Sequence, residues 1–144
     1  MDMVMAKLSK HFSQSEFECK CGCGCEVMVS CDLIDLLEGM RVSLGEGILV
    51  TSGARCRKHN SSVGGSIHSW HIPRNHVLYA ADITFLDPGR RDKLDILELY
   101  VLADRSQAAG LGLYNGRIHV DQRPGKTLHS KRARWMDTSW RWSN

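Results

Sequence analysis

Three residues of the 144-residue chain carry side chains that bind transition metals and lie where a metal site could form: His71, Asp82 and His119. Asp82 lies inside the apolar run "YAADITF", where an unpaired carboxylate is costly to bury, so a cation beside it is expected. A His, Asp, His set suits a zinc ion that has three protein ligands and an open fourth position for water. Zinc lowers the pKa of that water to near neutrality and polarises a carbonyl group, which is the chemistry of amide hydrolysis.

The segment "GLGLYNGRIHVDQR", which contains His119, has the pattern of a β-hairpin. Two alternating runs flank Asn-Gly, the strongest two-residue turn signature. Because side chains alternate between the faces of a strand, one face is apolar and the other is polar. The polar face carries Tyr114, Arg117, His119 and Asp121, opposite Gly110 and Gly112. Glycines in a strand often mark a close approach, so we expect a metal and a substrate above them; the alternative is a solvent-facing edge hairpin.

The elements that position these residues can be predicted from local patterns. "FSQSEF" indicates a short helix from 13 or 14, with a Ser13 to Glu16 capping box and a Phe12 to Phe17 hydrophobic staple. "GILVTSG" and "AADITF" are typical of buried strands. Two longer helices are predicted. They are "SCDLIDLLEGMRVSLG", with Leu33, Leu36, Leu37, Met40 and Leu44 at helical spacing and Gly45 as its end, and "GRRDKLDILELYVLADRS", carrying Leu94, Leu97, Tyr100 and Val101.

These elements alternate without a βαβ rhythm, which favours an α+β class. We expect a single compact domain over residues 1–144, with a small antiparallel sheet, helices packed on one side and the zinc site on the open face. Within it, residues 12–31 form a capped helix and a Cys-rich loop, and residues 48–123 form the metal-site core. A hydrophobic fraction of 42% is enough to bury a core at this length.

Composition and charge argue against several classes of partner. The formal net charge is only +3, and the basic residues are scattered until "SKRARW", so we expect no nucleic-acid partner. No run approaches the roughly twenty apolar residues that cross a bilayer, and "MDMVMAKLSKHF" lacks a signal-peptide pattern. The chain is therefore expected to be made in the cytoplasm and not to insert into a membrane. We also expect it to be a monomer. Work outside the membrane would require another factor to release it.

Cysteine is frequent, with six residues in the chain and five within a thirteen-residue stretch. The alternation in "CKCGCGC" matches neither paired zinc-ribbon knuckles nor a spaced secreted framework. Three interpretations remain open: a second, structural metal ion, a disulfide formed after export, or reduced thiols in a Gly-rich loop. The candidate ligands for that ion are Cys19, Cys21, Cys23, Cys25 and Cys31.

Taken in order, "SGARCRKHNSSVGG", "SWH", "AADI", "GLGLY", "IHVDQR" and "ARW" make the chain resemble the zinc D-alanyl-D-alanine carboxypeptidases and their relatives among phage and bacterial peptidoglycan peptidases. The resemblance runs from "HFSQSEFECKCGCG" to "RARW". It implies that the zinc ligands are His71 of Ser-x-His, Asp82 of Ala-x-Asp and His119 of His-x-Asp. It also implies that Arg55 of Ser-Gly-x-Arg binds and polarises the substrate, whereas a structural salt bridge is the alternative role. Ser69 and Asn60 are interpreted as supporting residues.

Two departures from that pattern affect the site. His71 and Asp82 lie eleven positions apart, where many relatives have seven, so "IPRNHVLY" is interpreted as an inserted loop at the site. This loop adds His76 as a competing ligand, and His68 is another. No acidic residue lies just upstream of His119. Asp121 is therefore assigned the role of general base, or that of a carboxylate that orients a ligand.

The function expected from these residues and the resemblance is zinc-dependent hydrolysis of peptidoglycan stem peptides. The hydrolysed bond would be the D-Ala-D-Ala bond, as in a carboxypeptidase, or the L-Ala-D-Glu bond, as in an endopeptidase. The protein would be a phage or prophage lysis enzyme that is released through a holin or carried by the virion. The alternatives are a non-catalytic wall-binding or phage structural module that keeps the fold and metal, and a Cys-rich zinc module that binds nucleic acid. The intact metal set and Arg55 favour the enzyme.

Overall fold

The computed structural model of the protein describes residues 6–125 and 132–140. In that part of the chain the α-helices are α1 (Cys31–Leu44), α2 (Arg57–Ser62) and α3 (Lys93–Arg105), with 3₁₀ turns at Gln14–Phe17 and Pro88–Arg90. The strands are β1 (Met28–Val29), β2 (Ile48–Ser52), β3 (Val77–Leu78), β4 (Ala80–Phe85), β5 (Gly110–Tyr114), β6 (Arg117–Asp121) and β7 (Ala133–Met136). The predicted α+β class is confirmed.

The main sheet has five strands in the order β2, β4, β6, β5, β7. The first three pairings are antiparallel, as predicted, but β7 lies parallel to β5, so the sheet is mixed. A two-stranded parallel sheet of β1 and β3 accompanies it. The β5–β6 hairpin has the predicted register, in which Gly110 faces Asp121 and Gly112 faces His119.

One face of the sheet packs against α1 and α3. Ala81, Ile83 and Phe85 of β4 are fully buried in a single hydrophobic cluster that includes residues of both helices. Asp82 lies between two of these residues, so its side chain points to the opposite face. The helices therefore cover one side of the sheet, as predicted, and leave the other for polar side chains.

The N-terminal turn has the predicted capping box and staple. The Glu16 carboxylate accepts a hydrogen bond from the Ser13 backbone N–H at 2.7 Å, and the rings of Phe12 and Phe17 lie 6.2 Å apart between centroids. The turn packs against the segment that follows β2, because the Phe17 carbonyl accepts the Ala54 N–H at 2.9 Å. A Cβ at Gly53 would lie 2.6 Å from the Cα of Phe17, so only glycine permits this contact.

Both of the longer predicted helices are present. α1 ends as expected at Gly45, which has φ 67° and donates its N–H to the Arg41 carbonyl at 3.1 Å. In α3, two of the apolar residues named from the sequence, Leu94 and Val101, are 72% and 40% exposed. The fully buried apolar residues of α3 are instead Ile96, Leu99 and Ala103. Both sets have helical spacing, and the position of α3 on the sheet decides which one is buried.

The segment interpreted as an inserted loop is fastened to the N-terminal region. Its residues Val77 and Leu78 form β3, which pairs with Met28 and Val29, and the His76 carbonyl accepts the Met28 N–H at 2.8 Å. His76 itself has φ 66°, in the left-handed region. The loop is therefore held by main-chain hydrogen bonds.

Among the helices of residues 6–125 and 132–140, none combines the length and the hydrophobicity that a membrane span requires.

Candidate metal centre

The sheet brings two of the predicted metal ligands together. β4 and β6 are antiparallel neighbours, and their register sets Asp82 directly opposite His119, on the face away from the helices. His71 comes from the loop that precedes β3. Its carbonyl accepts the Arg55 N–H at 2.8 Å, and its own N–H donates to the Ser69 hydroxyl at 3.2 Å. This second bond gives Ser69 the supporting position that was predicted for it.

The three ligand atoms have the spacing of a tetrahedral zinc site. His71 Nε2 lies 3.1 Å from Asp82 Oδ1 and 3.2 Å from His119 Nδ1, and His119 Nδ1 lies 3.3 Å from Asp82 Oδ1. Ligand atoms bound at about 2.0 to 2.1 Å around a tetrahedral zinc ion lie about 3.3 Å from one another. All three residues are buried, and the group could hold a metal ion.

The other ring nitrogen of each histidine has its own acceptor. His71 Nδ1 lies 2.7 Å from the Gly53 carbonyl oxygen, and His119 Nε2 lies 2.7 Å from Asp121 Oδ2. A carbonyl oxygen can only accept, so His71 Nδ1 carries a proton and donates it to Gly53, which leaves Nε2 as the nitrogen that faces the cluster. In the same way, an ionised Asp121 carboxylate accepts a hydrogen bond from His119 Nε2 and so orients the ring, with Nδ1 facing the cluster. Histidines that bind metals in proteins show this arrangement of outer hydrogen bonds.

Asp82 is charged at neutral pH in spite of its burial. Desolvation opposes ionisation, but hydrogen bonds with His119 and His71 hold the pKa of the Asp82 carboxyl well below its usual range. Two guanidinium groups also approach its outer oxygen, Arg55 Nη2 at 3.3 Å and Arg117 Nε at 3.6 Å. The buried negative charge that the sequence indicated is therefore present and faces the two histidines.

Arg55 lies at the edge of the metal centre in a fixed orientation. Besides Asp82, its Nε donates to the Ser52 hydroxyl at 3.1 Å and its Nη1 donates to Asn60 Oδ1 at 3.2 Å. Asn60 is buried and also donates to the Ser66 carbonyl at 2.8 Å. Asn60 thus holds Arg55, which is a supporting role of the kind predicted. The arginine has both a structural ion pair and a position beside the ligands.

Asp121 is fully buried behind His119. Its two oxygens accept hydrogen bonds from Arg123, Nε at 2.8 Å and Nη2 at 2.7 Å, in addition to the contact with His119. These partners hold the pKa of the Asp121 carboxyl well below its usual range against the effect of burial. Arg123 was not singled out from the sequence, although it stands two positions after Asp121 in "HVDQR".

The space above the two glycines of β5 is not open, contrary to expectation. A Cβ at Gly110 would overlap the Asp121 carboxylate, and a Cβ at Gly112 would overlap the ring of Trp135. Trp135 comes from β7 and lies 5.0 Å from the His119 ring between centroids. The glycines therefore make room for the side chains that pack on His119, and the open space of the site lies elsewhere.

A cavity of about 720 Å³ opens over the three ligands. Among the residues that line it are Arg55, Trp70, Tyr114, Arg117 and Trp135. Trp135 Nε1 donates to the Tyr114 hydroxyl at 3.0 Å, and the Arg117 guanidinium lies 4.5 Å from the centre of the Tyr114 ring. Trp70 and Trp135 belong to the "SWH" and "ARW" motifs of the sequence, but no role at the site was predicted for either.

The competing histidines lie outside the ligand group. His68 is exposed on the wall of the cavity, and His76 lies beside Met28.

The cysteines form a separate cluster in which Cys19, Cys21 and Cys23 meet Cys56.

Comparison with known proteins agrees with the site. The family model of peptidase M15 matches residues 10–121, well over half of the chain, and this range includes all three ligands and Arg55. The comparison with curated proteins gave no match. With that extent of similarity, and with the ligand geometry described above, the chain belongs to the peptidase M15 family.

Proposed function

We propose that the protein is a zinc-dependent peptidase that hydrolyses peptide bonds in peptidoglycan stem peptides. The observation that carries the proposal is the spacing of 3.1 to 3.3 Å among three buried candidate ligand atoms, which line a cavity of about 720 Å³. Membership of a peptidase family supports the reaction class. When bound by His71, Asp82 and His119, zinc supplies a Lewis acid for the carbonyl and activates water near neutral pH.

The arginines of the cavity suit a peptide that carries carboxylates. Arg55 and Arg117 both face the outer oxygen of Asp82, so their guanidinium groups border the reacting position. A planar guanidinium binds a carboxylate or a polarised carbonyl through paired hydrogen bonds. We propose that Arg55 holds the carbonyl of the scissile bond and that Arg117 holds a neighbouring carboxylate. The aromatic rings of Trp70, Tyr114 and Trp135 would form the apolar walls.

For Asp121 we propose the orienting role. Its carboxylate is fully buried, is paired with Arg123 and faces the outer nitrogen of His119, so it has no path to a water molecule in the cavity. A carboxylate in this position fixes the ring and raises the basicity of the ligating nitrogen.

The decisive experiment identifies the products. Zinc-replete protein is incubated with purified peptidoglycan of several wall chemotypes, and soluble fragments are identified by mass spectrometry. We expect new fragments from at least one wall type, whose ends show whether a D-Ala-D-Ala or an L-Ala-D-Glu bond is cut. His71→Ala should release none, and His68→Ala should match the wild type. Wall binding without fragments in all samples would favour a non-catalytic module.

Stem peptides lie outside the cytoplasmic membrane, so this substrate sets where the protein acts. We propose that it reaches the wall after release through a phage holin or as part of a virion.

A further inference from the structure

The cysteine cluster joins two distant parts of the chain. Cys19, Cys21 and Cys23 lie on the Gly-rich loop after the first 3₁₀ turn, whereas Cys56 is the N-cap of α2. The four Sγ atoms all lie within 4.8 Å of one another, with Cys19 to Cys21 at 3.3 Å and Cys21 to Cys56 at 3.6 Å. Sulfurs bound at about 2.3 Å around a tetrahedral zinc ion lie about 3.8 Å apart. The cluster therefore has nearly the size of a four-cysteine zinc site.

The backbone around the cluster is arranged for negatively charged sulfur. The Cys56 N–H donates to Cys19 Sγ at 3.4 Å, and the His59 N–H donates to Cys56 Sγ at 3.3 Å. Amide donors stabilise thiolates, and hydrogen bonds of this kind tune the sulfur ligands of metal sites. Gly22 has φ 75°, so the loop turns back between Cys21 and Cys23 and brings them together.

We propose that Cys19, Cys21, Cys23 and Cys56 bind a structural zinc ion, separate from the ion held by His71, Asp82 and His119. Thiolate ligands in tetrahedral arrangement select zinc among the common divalent ions. The sequence-based ligand set changes, because Cys56 takes the place of Cys25 and Cys31. Cys25 Sγ lies 3.0 Å from Cys23 Sγ, but neither Cys25 nor Cys31 belongs to the group of four mutually close sulfurs.

The ion would clamp the segment that carries Arg55. Cys56 follows Arg55 directly, and the Phe17 to Ala54 hydrogen bond already ties the same segment to the N-terminal turn. A cross-link at Cys56 restricts the backbone one residue away from the guanidinium that faces Asp82. Zinc binding by these cysteines does not depend on the proposed peptidase reaction.

The first test counts zinc by mass spectrometry in protein purified under reducing conditions. We expect two ions per chain in the wild type, one in His71→Ala and one in Cys56→Ser, with two retained in the control Cys31→Ser. After cobalt substitution, His71→Ala should keep a strong thiolate-to-cobalt absorption band, which Cys56→Ser should lose. A Cys56→Ser protein with as much zinc as the wild type would overturn the proposal, whatever the result for His71→Ala.

A second test needs no variant and so does not depend on folding of a mutant. The native protein is alkylated before and after removal of metal by a chelator, and the modified cysteines are mapped by mass spectrometry. We expect zinc to protect Cys19, Cys21, Cys23 and Cys56, while Cys25 and Cys31 react in both samples. Equal reaction of all six thiols in both samples would contradict the zinc site. So would disulfide bonds among these cysteines, seen in reductant-free buffer as the loss of two hydrogens per pair from the intact mass.

Discussion

At the scale of single residues, the candidate metal centre consists of side chains that other groups hold in place. The Gly53 carbonyl orients His71, Asp121 orients His119, and Arg55 lies against the outer oxygen of Asp82. A ligand held in this way binds metal without losing rotational freedom at that moment. The roles of individual residues can therefore be separated by measuring metal binding and turnover independently.

The choice among the three histidines is the first such measurement. We expect His71→Ala to lose the zinc of this centre and all activity, because the spacing with Asp82 and His119 requires its Nε2. His68→Ala and His76→Ala should keep the metal, since neither belongs to the ligand group. Zinc analysis together with a peptide-release assay checks this. Loss of metal from His76→Ala with retention in His71→Ala would overturn the assignment.

Asp121→Asn separates an orienting carboxylate from a general base. We expect about a 10- to 100-fold loss of zinc affinity at the His71 centre, the range found when outer partners of ligands are removed. The acid limb of the pH profile of kcat/KM should remain in zinc-saturated protein. The control is Asp104→Asn, which removes an exposed carboxylate paired with Arg134. Unchanged affinity with a vanished acid limb would instead identify Asp121 as the base.

Arg55→Lys tests the planar guanidinium. We expect zinc to be retained and kcat to fall by about a hundredfold or more, because an ammonium group cannot replace three directed hydrogen bonds or a forked contact with substrate. Arg57→Lys, at an exposed position two residues later, should have near-normal activity. Turnover of Arg55→Lys close to the wild-type value would leave Arg55 with its structural ion pair alone.

At the scale of elements, the glycines of β5 leave space for side chains of the neighbouring strands. The β5–β6 register places Gly110 opposite Asp121, and the carboxylate fills the position that a Cβ would take. A strand glycine is thus explained by a neighbouring side chain and not by a ligand. The hairpin presents His119 with its orienting partner as one unit.

Gly110→Ala should therefore act on both stability and metal binding. The new methyl group would displace the buried Asp121 carboxylate, so we expect a lower melting temperature and weaker zinc binding at the His71 centre. Gly39→Ala is the matched control, since Gly39 lies exposed in α1 and an added methyl group there would have no neighbouring atom within 4 Å. That change should stabilise the helix by about 1 kcal/mol. Thermal unfolding and zinc titration of both variants distinguish these outcomes, and wild-type behaviour of Gly110→Ala would refute the packing role.

At the scale of the whole molecule, the N-terminal region is attached to the body at several points. His11 donates its backbone N–H to Glu38 of α1 at 2.9 Å, and its ring Nδ1 lies 2.7 Å from the same carboxylate. Burial opposes ionisation of Glu38, but these contacts with His11 hold its pKa below the usual value. A carboxyl whose pKa is depressed by folding adds stability above its unfolded pKa and loses it as the pH falls through the folded pKa.

Glu38→Gln should accordingly lower the free energy of unfolding at neutral pH by about 1 kcal/mol, the usual effect of such a hydrogen bond. The difference from the wild type should shrink as the pH drops through and below the ordinary range of glutamate, where the wild-type carboxyl is itself protonated. Urea unfolding at a series of pH values measures this. A difference that stays constant into the acid range would show that charge at Glu38 contributes nothing.

The sequence by itself determined the features that depend on local patterns. Alternation around Asn-Gly specified the hairpin register, the caps specified α1 and the first turn, and spaced motifs indicated the candidate ligands and Arg55. Neighbouring residues decide these features, because turn geometry and capping bonds act over a few positions.

The tertiary structure alone decided the rest, which depends on contacts between distant segments. It selected the buried stripe of α3 from two with equal spacing, added β7 in parallel and set Trp135 above Gly112. It also buried Asp121 behind His119 and brought Cys56 to three cysteines more than thirty residues away. Contacts between segments so far apart in the sequence depend on packing of the whole core. Local sequence patterns do not predict them.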